Sequence, residues 1–292
     1  MATLLKIKRR FEDSILVGDW YEVKELRKGL YLVDEQDHVA FYVLKEGEKA
    51  LFIDSGLGVS ESKAKELIAY FQLKEFSVLA THAHCDHAGL NHLAKEVFVT
   101  EVEWNKYLAL DEIKQIEPYQ KMIGEDLPWP KDTKIEQKKW TPTRFLVDGE
   151  TIKFGSWSLK VLLTPGHTVG HTVFTDSKNS IVFLGDFLVT GRNFLHLKDS
   201  RIDQYITSLD QLILAAKQMK SPILLPCHDL IPLPLDYLLT AQTVLKKISE
   251  GYLKPKNKWE EDELFLEAQV FEDAGFRVVI RSDQIPNLKP KS

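Results

Sequence analysis

The sequence predicts an α/β fold in which short apolar strands carry metal-ligating side chains to one edge of a sheet. Three observations lead to this prediction. A run of His and Asp follows directly after the apolar segment 76–80, and three later apolar segments also end beside a His or an Asp. Amphipathic segments at 60–72, 202–217 and 235–250 supply helices between them. In layered α/β folds, functional sites gather at the carboxyl ends of the strands.

The densest motif is His82-Ala83-His84-Cys85-Asp86-His87, directly after the predicted strand Phe76–Ala80. His82 and His84 are two residues apart, so their side chains leave an extended backbone on the same side. Asp86 and His87 follow where the chain can turn and bring a second pair of ligands close by. The motif therefore predicts two neighbouring metal ions, an arrangement that suits hydrolysis.

Three downstream segments repeat the pattern of an apolar strand followed by a ligand. These are Leu159–Leu163 before His167, Ile181–Leu184 before Asp186, and Ile223–Leu225 before His228. Together with the first motif they supply enough His and Asp side chains for two metals.

The combination H-x-H-x-D-H, then G-H, G-D and a final His resembles the metallo-β-lactamase superfamily of hydrolases over about residues 29–230. The resemblance implies a four-layer αβ/βα sandwich with the metal site along one edge. It implies that His82, His84 and His167 hold one metal, that Asp86, His87 and His228 hold the other, and that Asp186 bridges them.

Imidazole and carboxylate ligands without thiolate favour two divalent ions, with zinc first and manganese or iron as alternatives. The predicted activity is a metal-dependent hydrolase that cleaves a thioester or ester by attack of a metal-bridging hydroxide. Asp86 is the candidate catalytic residue, because it can orient the nucleophile or pass a proton to the leaving group. A lactone hydrolase and a mono-iron sulfur dioxygenase on the same fold remain alternatives, and metal counting with oxygen uptake distinguishes the latter. A non-catalytic binding protein is disfavoured by the complete ligand set.

Comparison of motifs indicates which branch of the superfamily the chain resembles. Asp186 argues against β-lactamase activity, because those enzymes usually lack a carboxylate there. The segment Pro226–Leu230 departs from the glyoxalase II pattern, which otherwise shares the full ligand set. Acyl-CoA hydrolase-like members are the most similar, through Gly185-Asp186 and the later Ser200–Ile202.

Several further residues are candidates with competing interpretations. Asp54 lies in a segment that resembles the family's early Asp-containing turn, and it is expected to hydrogen-bond the metal loop and fix a His tautomer. An ordinary turn Asp is the alternative. His171 is predicted to be structural. Arg192 and His196, on an expected loop after Asp186, are either substrate contacts or surface residues. Cys85 and Cys227 are expected to be packing residues.

Composition bounds the remaining possibilities. The chain has 292 residues, 44% of them hydrophobic, and the candidate ligands span 82–228, which predicts a single domain over 1–292. A net charge of −5 with dispersed basic residues argues against a nucleic-acid partner. No signal-peptide core or 18-residue apolar span is present, so we expect a cytoplasmic protein without a membrane partner. The expected partner is a small-molecule substrate, with a homodimer possible.

Two regions exceed what the metal site needs. Residues 101–142 form an aromatic-rich insertion, which is either a helical lid with Trp129 as a possible substrate contact or simple packing. Residues 252–292 form a C-terminal extension, predicted to contain a charged helix at 259–273 and a strand at 276–281. The remaining predicted elements are strands at 30–34, 39–45 and 50–54, a short helix at 87–95, and a hairpin of 144–147 with 151–154.

Overall fold

The computed structural model describes residues 11–110, 135–259 and 267–285, which divide into two compact units. Unit 1 takes the chain up to Val99 together with Trp104–Phe145. Unit 2 takes Thr100–Glu103 and the chain from Leu146 onward. The prediction that the whole chain forms one domain stays a prediction.

Unit 1 is built on a mixed sheet whose strands lie side by side in chain order. Strands β1 to β5 form an antiparallel meander, whereas β5, β6 and β7 run parallel. The strands are β1 (Ile15–Val17), β2 (Tyr21–Arg27), β3 (Leu30–Glu35), β4 (Val39–Glu46), β5 (Lys49–Ile53), β6 (Glu75–Leu79), β7 (Glu96–Thr100) and β8 (Arg144–Leu146).

Helix α1 (Glu61–Tyr70) makes the crossover between the parallel strands β5 and β6. Ser60 is its N-cap, because the Ser60 hydroxyl accepts a hydrogen bond from the Lys63 amide at 3.3 Å. Ala64 and Leu67 form the buried face of the helix. The helix therefore covers apolar surface while it returns the chain to the start of β6.

Unit 2 contains two further sheets and two long helices. A five-stranded sheet has the order β14-β12-β11-β10-β9, and a four-stranded sheet has the order β13-β17-β16-β15. The strands are β9 (Thr151–Phe154), β10 (Trp157–Leu163), β11 (Thr172–Asp176), β12 (Ile181–Gly185), β13 (Arg192–Leu195), β14 (Ile223–Pro226), β15 (Asn257–Trp259), β16 (Ala268–Asp273) and β17 (Phe276–Arg281). The helices are α3 (Ile202–Lys217) and α4 (Asp236–Ser249), and helix α2 (Glu101–Leu110) contributes its first residues to this unit.

The core of unit 2 lies between the helices and both of its sheets. Leu212 of α3 and Leu245 of α4 belong to the same buried apolar cluster as Leu184 of β12 and Phe271 of β16. Burial of this apolar surface is the main interaction that stabilises the strands whose ends carry the candidate ligands. None of the helices in the described parts of the chain is long and apolar enough to cross a membrane.

Parallel pairing aligns the strand ends that carry candidate ligands. In unit 1, Ile53 of β5 pairs with Leu79 of β6, so Asp54 and the 82–87 motif leave the sheet at the same edge. In unit 2, Gly185 of β12 pairs with Pro226 of β14, so Asp186 and His228 also emerge side by side. The predicted strands before all four ligand segments are confirmed.

Three predicted elements are wrong. Residues 87–95 form only a short 3₁₀ turn at Asn91–Leu93, because the loop after His87 is held in turns by contacts to the 54–58 segment. Segments 144–147 and 151–154 do not pair with each other, since β8 lies in the first sheet and β9 pairs with β10. The helix predicted over 259–273 is replaced at its described ends by β15 and β16, whose residues pair with each other. Sheet pairing therefore overrides the helical pattern of the charged segment.

Truncation of Leu212 should destabilise unit 2. Leu212 is fully buried in the α3 face, so Leu212→Ala should lower the free energy of unfolding by about 2–5 kcal/mol. Leu214, two residues further along the same helix, is 63% exposed. Leu214→Ala should therefore change the free energy of unfolding by less than about 0.5 kcal/mol. Urea unfolding followed by circular dichroism measures both. Equal losses for the two variants would contradict this description of the core.

Candidate metal centre

Unit 1 presents two pairs of candidate ligands on the loop after β6. The His82 Nε2 and His84 Nδ1 atoms lie 3.0 Å apart, which confirms that the two side chains leave the backbone on the same side. The Asp86 carboxylate lies 3.6 Å from the Nε2 atom of His87. His82, Asp86 and His87 are buried, and His84 is partly exposed. This loop is neither helix nor strand, yet it brings four side chains with nitrogen or oxygen donor atoms close together.

Asp54 fixes the orientation of two of these imidazoles. One carboxylate oxygen accepts from the Thr81 amide at 2.7 Å, and the other lies 3.0 Å from the His87 Nδ1 atom. The Thr81 hydroxyl donates to Asp54 at 2.8 Å, so it is an acceptor for the His82 Nδ1 atom at 3.0 Å. Both rings are thus protonated at Nδ1 and turn their Nε2 atoms toward the other candidate ligands. Asp54 makes the hydrogen bonds expected of it, and its role at the metal site stays a prediction. Thr81 is a further positioning residue that the sequence reasoning missed.

The backbone of the 54–58 turn lies directly against the metal loop. The Ser55 amide donates to the His87 carbonyl at 2.8 Å, and the Gly89 amide donates to the Gly56 carbonyl at 2.8 Å. A Cβ atom added to Gly89 would lie 2.2 Å from the Gly58 nitrogen, and one added to Gly58 would lie 2.5 Å from the Gly89 carbonyl oxygen. Only glycine fits at both positions, and this close approach holds His87 in place.

Gln137 supports the same loop from a distant part of the sequence. Its side-chain amide donates to the Leu57 carbonyl at 2.8 Å and also contacts the Cys85 carbonyl. These bonds tie the turn and the metal loop together from a third side. Nothing in the sequence pattern around Gln137 distinguishes it, because the contact depends on tertiary structure alone.

In unit 2, the Asp186 carboxylate lies between two candidate histidines. One of its oxygens is 3.3 Å from the His228 Nε2 atom, and the other is 3.8 Å from the His167 Nε2 atom. Each oxygen is therefore directed toward a different imidazole. The structure thus brings together the three candidate ligands that this unit contributes.

His167 is held at the backbone and at the ring. Its Nδ1 atom lies 2.9 Å from the Phe194 carbonyl, so Nδ1 carries the proton and Nε2 is the donor atom available to a metal. The Ser200 hydroxyl donates to the His167 carbonyl at 2.7 Å. Gly166, which precedes it, has a φ of 148° and packs against Tyr205, where a Cβ atom would be only 2.5 Å from the Tyr205 Cβ.

The His228 loop is tied to the loop that follows Asp186. Asp229 accepts a hydrogen bond from the Gly191 amide at 2.7 Å, and the Leu230 amide donates to the Thr190 hydroxyl at 3.2 Å. Asp229 therefore has a structural role at a position where the sequence departs from the glyoxalase II pattern. Cys227 is fully buried and its amide donates to Gly185, consistent with packing.

His171 closes the turn between β10 and β11. Its Nδ1 atom lies 2.9 Å from the Thr164 hydroxyl, and the Thr164 amide donates to the His171 carbonyl at 2.8 Å. This placement agrees with the prediction of a structural histidine.

Arg192 is the first residue of strand β13, so the expectation of a loop is wrong for it, whereas His196 follows the last residue of the strand, Leu195. Pairing of β13 with β17 makes the segment extended. The Arg192 guanidinium lies 4.9 Å above the Trp259 ring, and His196 is buried against Phe194 and Trp259. Burial, and secondarily the nearby His167, lowers the pKa of His196 to about 4. Their contact with substrate stays a prediction.

The described part of the aromatic insertion is a packed cluster. Trp104, Tyr107 and Trp140 lie with ring centroids 5.0–5.1 Å apart in every pair. Tyr107 and Trp140 are almost fully buried, which favours the packing interpretation for these rings. Trp129 lies outside the described residues.

The donor set fits divalent cations. Three of the imidazoles have Nδ1 held by an oxygen acceptor, so Nε2 is the atom that each can present for coordination, as in metal-binding histidines. Nitrogen and carboxylate donors of this kind suit zinc, manganese or iron. Unit 1 contributes His82, His84, Asp86 and His87, and unit 2 contributes His167, Asp186 and His228.

Comparison with known proteins identifies the class. A model of the metallo-beta-lactamase superfamily matches residues 35–228. The acyl-coenzyme A thioesterase MBLAC2 of Homo sapiens is 25% identical over 215 residues, covering 67% of this chain and 76% of that protein. The hydroxyacylglutathione hydrolase GloC of Haemophilus influenzae is 27% identical over 154 residues, covering 49% of this chain and 63% of that protein.

A solved structure gives the same result for the fold. A metallo-beta-lactamase family protein from Thermus thermophilus superimposes with a TM-score of 0.56 at 22% identity, covering 80% of this chain and 85% of that one. The chain belongs to the metallo-β-lactamase superfamily and has its α/β fold with mixed sheets. With the His/Asp clusters described above, it is a metallo-hydrolase of that superfamily.

Asp54→Asn should weaken metal binding without unfolding the protein. The amide still fits the backbone at φ 59°, but one of its two ends can no longer accept a hydrogen bond, so His82 and His87 lose part of their orientation. We expect metal affinity to fall about 10- to 100-fold, measured by competition with a chromophoric chelator. Asp19→Asn is the matched control, because Asp19 has a φ of 52° and is exposed. Unchanged affinity in Asp54→Asn would contradict the orienting role.

His196→Phe should make the free energy of unfolding of the metal-free protein less dependent on pH between about 4 and about 6.5. The folded pKa of His196 is about 4, below the ordinary value of 6.5, so the unfolded chain binds more protons between these pH values. The wild-type protein should therefore lose stability as pH falls from about 6.5 to about 4, by up to about 3 kcal/mol from this group. Phenylalanine removes the titration and keeps a ring among Phe194 and Trp259. Denaturant unfolding at several pH values measures the effect, and a difference between wild type and variant that stays constant with pH would exclude this assignment.

Proposed function

We propose that this protein is a dinuclear metal hydrolase that cleaves thioesters. The observation that carries the proposal is the Asp186 carboxylate, which directs one oxygen toward His167 and the other toward His228. A carboxylate placed in this way can be shared by two cations.

The superfamily pattern assigns the seven candidate ligands to two cations. His82, His84 and His167 would hold one cation, and Asp86, His87 and His228 would hold the other. Asp186 would be shared between them. Membership of the superfamily supports this assembly, because the matched region, residues 35–228, includes all seven side chains. Zinc is the proposed metal, with manganese or iron as alternatives.

Two bound divalent cations supply a water of lowered pKa as nucleophile and polarise the carbonyl of the substrate. The chain's own residues prepare this chemistry. Asp54 and Thr81 hold the rings of His82 and His87 through Nδ1, which leaves Nε2 of each ring to face a metal. Buried in the metal loop, Asp86 is the group that holds the proton of the nucleophile and passes it to the departing sulfur.

Relatives support a thioester substrate. The names of the two relatives above, an acyl-coenzyme A thioesterase and a hydroxyacylglutathione hydrolase, both describe removal of an acyl group from a thiol carrier. A thiol has an ordinary pKa of about 8.5, so a thiolate is a good leaving group and depends less on protonation by the enzyme than an alkoxide or an amine does. This chemistry suits a site whose only proposed proton carrier is one carboxylate.

His84→Ala should abolish thioester hydrolysis while the protein remains folded. His84 is partly exposed and lies on a loop, so its loss removes a ligand without opening the core. We expect at least about a 100-fold fall in kcat/KM for an acyl-coenzyme A, with an unchanged circular-dichroism spectrum. His38→Ala is the control, because His38 lies on the β3–β4 turn and is not a candidate ligand. Retained activity in the His84 variant would exclude the proposed site.

Metal counting distinguishes the alternatives on the same protein. About two metals per chain with thioester hydrolysis supports the proposal, and preference for a cyclic ester in a substrate panel points to a lactone hydrolase. One iron per chain with oxygen uptake points to a sulfur dioxygenase and contradicts a dinuclear hydrolase.

A further inference from the structure

We infer that Glu103 is a positioning residue for the candidate ligand His167, acting through the loop 168–170. The inference rests on the proposed function, because it assigns Glu103 a role in building that site. Glu103 is not itself a candidate ligand. It lies 64 positions before His167 in a segment that no sequence motif connects with the metal (167 − 103 = 64).

The Glu103 carboxylate is buried and accepts hydrogen bonds from the loop that follows His167. Only 1% of the residue is exposed. One carboxylate oxygen accepts from the Thr168 hydroxyl at 2.8 Å and from the Gly170 amide at 2.9 Å. A charged group buried in this way is costly unless it is well hydrogen-bonded, so its two bonds to one short loop indicate a specific function for it.

The start of helix α2 explains how Glu103 reaches the loop. Thr100 and Glu103 have the spacing of a capping box, and the Thr100 hydroxyl accepts from the Glu103 amide at 3.3 Å. That same hydroxyl donates to the Gly170 carbonyl at 3.0 Å. The Glu103 carboxylate binds Thr168 and Gly170. Both residues of the capping box, Thr100 and Glu103, therefore hold the loop.

Gly170 packs directly on this first turn. A Cβ atom there would lie 2.5 Å from the Thr100 hydroxyl oxygen, 2.6 Å from the Glu103 Cβ and 2.7 Å from the Glu103 nitrogen. The contact leaves no room for a side chain. Thr100–Glu103 and the loop after His167 belong to the same unit.

Glu103 supports the loop after His167 from a second side. Phe194 and Ser200 fix the ring and the carbonyl of His167, and Asp199 accepts from the Val169 amide at 3.1 Å. Glu103 holds the two residues that flank Val169. A ligand atom must be placed to within about 0.5 Å, so release of this side of the loop moves the His167 Nε2 atom out of position.

Charge and hydrogen bonding can be separated by substitution. Glu103→Gln keeps an oxygen that can accept from both Thr168 and Gly170, so it should restore positioning. Glu103→Ala removes the acceptor and leaves the Thr168 hydroxyl and the Gly170 amide buried without it. Thr168→Val removes one of the two bonds and leaves the helix start intact. Glu101, two residues away on the same helix, is exposed, and Glu101→Ala is the matched control.

The experiment is Co²⁺ titration of the metal-free full chain, followed by visible absorption, which reports the geometry around each ion. We expect Glu103→Ala to weaken one of two Co²⁺ equivalents by about 10- to 100-fold and to change its spectrum, with the other equivalent within about threefold of wild type. Glu103→Gln and Glu101→Ala should match wild type within about threefold, and Thr168→Val should be intermediate.

Two outcomes overturn the inference. One is a Glu103→Ala protein with unchanged Co²⁺ affinity and spectrum, and the other is an equal loss at both equivalents, which is the mark of general loosening. If Glu103→Ala does not fold, Thr168→Val decides by the same criteria. A wild-type protein that binds two Co²⁺ ions but hydrolyses no thioester refutes the proposed function and leaves the Glu103 result standing.

Discussion

Parallel pairing of neighbouring strands is the constraint on which the candidate metal centre depends. In each unit, two parallel strands end at paired residues, so the segments that follow them start within a few ångströms of each other. Asp54 reaches the loop that carries His82 and His87 for this reason. Asp186 reaches His228 in the same way across β12 and β14. The buried apolar clusters matter to chemistry mainly because they hold these strand ends in register.

Beyond the strand ends, the candidate site depends on fixing the orientation of buried imidazoles. A histidine without a defined hydrogen bond can present either nitrogen to a metal. Asp54, the Thr81 hydroxyl and the Phe194 carbonyl each accept from an Nδ1 atom, and so leave Nε2 as the donor. Acceptors of different chemistry therefore perform one task in the two units.

Much of the site could be predicted from the sequence, because its ligands follow short apolar strands at close spacing. The helices 202–217 and 235–250 and the strand 276–281 also carry clear periodicity. The supporting residues could not be predicted in the same way. Gln137 and Glu103 act across 52 and 65 positions or more, through tertiary contacts that leave no local pattern. The prediction of a helix over 259–273 is wrong at the described ends of that segment, because β15 and β16 pair with each other there.

The contact between Gly58 and Gly89 has a consequence for how the sequence around the site can vary. Most tight contacts in a protein can be relieved when the partner residue is replaced by a smaller one. Here each residue already has the smallest side chain available, and each would collide with main-chain atoms of the other. A bulkier residue at either position therefore has no compensating change at its partner, and relief requires the whole turn to shift away from the loop that carries His87.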